Sequence, residues 1–192
     1  METILSLCVG IGLSAACGFR VFVPLLITGL AAHSGHLHLA SGFQWIGSDA
    51  ALIAFSVATV LEVAGYYVPW VDHLLDTLAT PAAVVAGTII TASFVTDVSP
   101  FLRWTLAVIA GGSAAGMVQA STVLTRGAST LTTGGFGNPL FATAELAGSV
   151  VTSVVSIIAP VLALAAIVVV AIVLGRRLVR LRTNRRAVTQ TT

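Results

Sequence analysis

Three ionisable side chains in this sequence stand inside long apolar runs: Arg20 in AACGFRVFVPLL, Glu62 in ATVLEVAGYY and Glu145 in FATAELAGSV. A charged group at the centre of a bilayer costs roughly 2.5 to 3.5 kcal/mol on insertion scales, so each should face protein and find a partner. Small residues and a proline surround Arg20, which offers it backbone acceptors. Thr59, Glu62 and Tyr66 share one helical face at spacings of three and four, as do Glu145, Ser149, Thr152 and Ser156. Gln119 follows Gly112 and Gly116 on the small-residue side of another run. One deep cation against two deep carboxylates leaves a charge over, which a proton or a small cation would balance. The chemistry so implied is an ion-coupled pathway lined by Arg20, Glu62 and Glu145. The plainer alternative is a buried pair that fixes helix register, with the second carboxylate solvated among headgroups.

The other polar groups carry weaker signals. Thr133, Gly134, Gly135, Gly137 and Asn138 lie in a loop read over residues 125–139, whose glycine amides could form an anion-binding nest beside a helix N-terminus. An ordinary turn has the same composition. His33, His36 and His38 lack matching carboxylates, so no metal site is expected. No nucleotide-binding loop, nucleophile elbow or paired Cys-x-x-Cys occurs. Neither a cofactor nor catalysis is therefore expected. A lipid-modifying enzyme would need Asp72, His73 and Asp76 to converge with further groups.

The elements that must position these residues follow from composition. Of 192 residues, 57% are apolar and 8% charged, which one water-surrounded core could not accommodate. Mean hydropathy is +1.03, and the main solvent must be the lipid bilayer. Apolar runs at residues 3–32, 50–68, 81–95, 100–124 and 139–174 read as helices, because continuous Ala, Val, Leu and Ile lack the alternation of a barrel strand. The fold class is all-α, a polytopic transmembrane helix bundle of five spans, possibly six. The sixth depends on Pro160, since the last run is too long for one upright span. Pro24 should also bend or break its run. Thr80-Pro81, Ser99-Pro100 and Asn138-Pro139 each set a capping side chain before a proline at a helix start. Residues 69–80 read as a separate interfacial amphipathic helix. Cys8 and Cys17 are too far apart along one helix to pair.

Residues 1–175 form a single transmembrane domain, followed by a basic tail, 176–192, expected to be disordered. Its six arginines from Arg176 to Arg186 indicate a cytoplasmic C-terminus and attraction to anionic lipid headgroups. Nothing separate supports nucleic-acid binding. A Gly-x-Ser-Ala-Ala pattern at Gly12 and at Gly111, followed by Glu-x-Ala-Gly at Glu62 and at Glu145, suggests an inverted internal repeat with halves 1–97 and 98–175. Against it, a five-span count puts Glu62 and Glu145 at similar depth near one face.

In AACGFRVFVPLL, LLDTLATPAAVVAGT and TTGGFGNP the chain resembles the bacterial membrane family catalogued as domain of unknown function 4126. The likeness extends over nearly the whole chain. It implies a compact polytopic protein of the bacterial inner membrane, and it brings no activity, ligand or site residue. Two functions then compete on the residues alone. One is a small ion-coupled transporter or channel. The other is a non-catalytic subunit or scaffold that packs through small-residue faces against itself or a larger membrane complex.

Overall fold

The computed structural model describes residues 2–170 together with 172, 173 and 176. Every regular element among them is helical. The order is α1 (Glu2–Cys17), α2 (Phe22–His33), a single 3-10 turn (Gln44–Gly47), α3 (Asp49–Gly65), α4 (Pro69–Phe94), α5 (Pro100–Leu106), a π-helical stretch (Ala107–Gly112), α6 (Ser113–Thr133) and α7 (Asn138–Ile158). A shorter helix, α8 (Pro160–Val170), follows. Leu74–Phe94, Pro100–Thr133 and Asn138–Ile158 are long and apolar enough to cross a membrane, and α1, α2 and α8 are shorter apolar helices. The protein is a membrane-embedded helical bundle. The arginine tail from Arg177 onward lies outside the described residues.

Side-chain size decides the packing. Gly87 of α4 presses on both neighbours at once: a Cβ there would lie 2.7 Å from Ala115 Cβ, 3.0 Å from the Gly111 carbonyl oxygen and 3.3 Å from Ser14 Cβ. Ser14 Oγ donates to the Gly87 carbonyl at 2.5 Å and lies 2.8 Å from Thr91 Oγ1. The π-helical stretch in the long helix ends at Gly112, where glycine lets α4 approach backbone to backbone. Gly87→Val should therefore overpack this crossing and cost about 1–3 kcal/mol. The check is a lowered unfolding midpoint in detergent.

These contacts also fix directions. Gly10 meets Thr91 and Phe94 while Ser14 meets Gly87 and Thr91, so α1 runs against α4. Gly111 meets Thr91 and Gly87 while Gly116 meets Val84, so α6 also runs against α4. The two Gly-x-Ser-Ala-Ala segments consequently run the same way, whereas an inverted repeat requires opposite directions. The two glutamate segments share one end of the bundle. The inverted relation read from the motifs is thus corrected: Gly, Ala and Ser recur because two helices flank the same glycine of α4.

Prolines and turns correct other boundaries. The first run is two helices, broken over residues 18–21, and Pro24 sits in the first turn of α2, where its missing N–H costs nothing. The chain returns toward the opposite end, since Ala40 N donates to the Ser93 carbonyl at 2.7 Å near the close of α4. Ser99-Pro100 starts α5 as expected, with Ser99 Oγ accepting from Leu102 N at 3.3 Å. Pro81 starts nothing. It stands on the exposed side of a continuous α4, so residues 69–80 are the first turns of a long helix and no separate interfacial element. Pro160 does divide the last run. Ala159 (φ −139°, ψ 65°) ends α7, and a Cβ at Gly12 would lie 2.9 Å from Ser156 Cβ and 3.6 Å from Ala163 Cβ. Positions seven apart on an unbroken helix, about 10 Å along its axis, could not both touch that point.

Candidate functional site

Gly18 lies against α6, where a Cβ would stand 2.6 Å from Val118 Cβ and 2.9 Å from Gln119 N. That approach pins the break between α1 and α2 and turns Arg20 into the bundle, where it is 1% exposed. Glu62, near the end of α3, reaches the same break from the other side. Its Oε1 accepts from Val21 N at 2.8 Å and its Oε2 from Phe22 N at 3.1 Å. The carboxylate thereby satisfies amides at the start of α2 and meets the positive end of its dipole.

Glu145 of α7 forms the second half. Arg126 of α6 is 2% exposed and grips Glu145 with two bonds: Nε donates to Oε1 at 3.0 Å, and Nη2 donates to Oε2. Arg20 Nη2 lies 3.5 Å from the same Oε2 and donates to the Ala142 carbonyl at 2.9 Å. On the outer side, Arg126 Nη1 donates to Asp76 Oδ1 of α4 at 3.4 Å. The Asp76 side chain is 17% exposed and is the rim of the chain Arg20, Glu145, Arg126, Asp76. The Tyr66 ring supports both cations, its centroid 3.7 Å from the Arg20 guanidinium carbon and 4.1 Å from that of Arg126. Tyr67 Oη and Thr143 Oγ1, 2.8 Å apart, tie the α3–α4 turn to α7 nearby.

Arg20, Glu62, Tyr66 and Glu145 are therefore together, as the sequence reading required. Arg126 is the member that reading left in a loop. Its helix runs to Thr133, and Gln119, Arg126 and Ser129 form its buried stripe. The charge count changes with it. Arg126 answers Glu145, and Glu62 has the α2 amides, so each of the two deep carboxylates has a partner within the bundle. Asp76, read as a solvated polar face, is drawn onto Arg126; the side chains of Asp72 and His73 lie outside the described residues.

The remaining candidates are placed as follows. Ser149 is buried and donates to the Ala16 carbonyl at 3.1 Å. Gln119 is buried beside Gly18. Thr59 Oγ1 is buried without a hydrogen-bond partner among the described residues. The inward stripe of α7 passes through Ser153, with Thr152 only half-buried, because four-residue steps from Glu145 and Ser149 lead to 153. The expected loop shrinks to a turn after Thr133, with Gly134 and Gly135 at φ 64° and 90°. The amides that lead into α7 are spent locally: Gly137 N donates to Thr133 Oγ1 at 3.1 Å, Asn138 N to the Gly135 carbonyl at 3.0 Å, and Leu140 N to the Gly137 carbonyl at 3.1 Å. Asn138 Nδ2 donates to Thr130 Oγ1 at 3.2 Å and does not cap α7. Among the described residues no three His, Cys, Asp or Glu side chains are grouped to hold a metal.

Fold and site together define a polytopic helical membrane protein with a buried ion-pair chain at one end of the bundle. The chain belongs to the family described as "Domain of unknown function (DUF4126)", which it matches over residues 7–180. No curated protein and no solved structure matches it.

Proposed function

We propose that the protein is a small transporter or channel of a bacterial inner membrane, with its C-terminus cytoplasmic, and that the Arg20, Glu145, Arg126, Asp76 chain is its closed gate. The arginines from Arg176 to Arg186 support that orientation. The observation that carries the gate is Arg126, which links a buried carboxylate to one at the rim. Replacing a buried ion pair by well-packed apolar groups is often neutral or stabilising. Charge kept at that depth, on side chains from four different segments, fits a contact made to open. Ionisable groups within a membrane bundle are by default pathway residues. A scaffold would gain the same cohesion from glycine packing alone.

Glu145→Gln and Asp76→Asn weaken the chain at its buried centre and at its rim. In planar bilayers bathed in potassium chloride, wild type should conduct little and either variant at least tenfold more. Conductance equal to wild type in both variants, with folded protein confirmed by unfolding midpoint, removes the gate.

A further inference from the structure

Arg20 does not spend all its donors. Nη2 is engaged, but Nε and Nη1, both buried, have no hydrogen-bond partner among the described residues. An unmet donor on a buried cation is costly and calls for an acceptor. A second guanidinium stands across the same carboxylate, since Glu145 Oε2 serves both Arg20 and Arg126. Planar forked donors match oxyanions in both shape and charge.

We infer that Arg20 and Arg126 form an exchange site for a small oxyanion, a carboxylate or phosphate group, for which Glu145 is the built-in competitor. The inference rests on the gate reading and names the class of solute that opens it. Access is from the Asp76 side, where the rim carboxylate is partly exposed. Glu62 is no part of the exchange, because its two oxygens hold the start of α2. Glu145 Oε2 is the acceptor that the two guanidinia share. Removing its charge takes that acceptor from both, so an external oxyanion should bind far better to that variant than to wild type.

The test is thermal unfolding of the full chain in neutral detergent with sodium acetate or phosphate, against chloride at equal ionic strength. Glu145→Gln should be stabilised at anion concentrations at least tenfold lower than wild type needs, and adding Arg20→Met should abolish the effect. Asp76→Asn, which leaves the buried pair intact, should also respond at lower concentration than wild type and serves if Glu145→Gln does not fold. A parallel series dopes the micelles with phosphatidylglycerol. A response there with none to the free anions assigns the oxyanion to a lipid headgroup. No acetate, phosphate or lipid response beyond chloride in either variant overturns the site. Anion binding without a change in conductance would keep the site and discard the gate; raised conductance without anion binding would do the reverse.

Discussion

Arg126→Met is expected to cost about 3–5 kcal/mol, the usual penalty for leaving one member of a buried ion pair alone. The guanidinium gives Glu145 two bonds and Asp76 one. Without it, Glu145 keeps, among the described residues, the Arg20 guanidinium at 3.5 Å. Methionine fills much of the same volume, so the loss reports charge and hydrogen bonding rather than a cavity. Unfolding midpoints in mixed detergent should fall steeply for Arg126→Met. The double variant with Glu145→Gln should recover part of the loss, because the orphaned charge is then gone. A cycle over the two positions should give a coupling of about 1–3 kcal/mol, as for residues in one ion-pair network. Additive losses would mean that the two side chains do not act as a pair.

That Arg126 was missed shows where the sequence is informative and where it is not. Arg20, Glu62 and Glu145 stand out because each is flanked by apolar residues. Arg126 stands among Ser, Thr and Gly, and a segment of that composition reads as a loop. Its threonines are nevertheless accommodated within the helix, their hydroxyls satisfied on carbonyls four residues back: Thr125 on that of Ser121 at 2.8 Å, Thr130 on that of Arg126 at 3.0 Å and Thr132 on that of Ala128 at 2.9 Å. The available signal was the spacing of Gln119, Arg126 and Ser129, steps of seven and three that share one helical face. Proline shows the same limit. Pro100 starts a helix and Pro81 does not, although both follow a hydroxyl side chain. What separates them is the segment before each: residues 95–99 form no helix, while α4 has already run from Pro69 when it reaches Pro81. Helical class, membrane residence and the meeting of Arg20 with Glu145 were legible because hydrocarbon penalises every alternative. The depth and partner of Arg126 depended on tertiary contacts that local composition does not encode.

Glu62→Ala should loosen α2 more than it unfolds the bundle. The carboxylate accepts from two backbone N–H groups, that of Val21 buried and that of Phe22 part-buried, and hydrogen bonds to a charged acceptor contribute about 1.5–3 kcal/mol each. Alanine leaves the buried Val21 amide and the part-buried Phe22 amide without their acceptor, and removes the anion from the N-terminal end of the helix dipole. Part of the loss returns because a buried charge also disappears, so a net cost of about 2–4 kcal/mol is expected. Glu62→Gln should fall between, since its carbonyl oxygen can still accept but its amide nitrogen points a donor at a donor. The diagnostic measurement is amide hydrogen exchange. The amides of Val21, Phe22, Val23 and Leu25 should exchange much faster in Glu62→Ala while α4 and α6, held by glycine contacts on Gly87, keep their protection. Because Arg20 immediately precedes these amides, loosening them also frees its guanidinium from Ala142 and Glu145, and conductance should rise as it does in Glu145→Gln. Faster exchange spread evenly over all helices would instead make Glu62 a general stabiliser and break its connection to the gate.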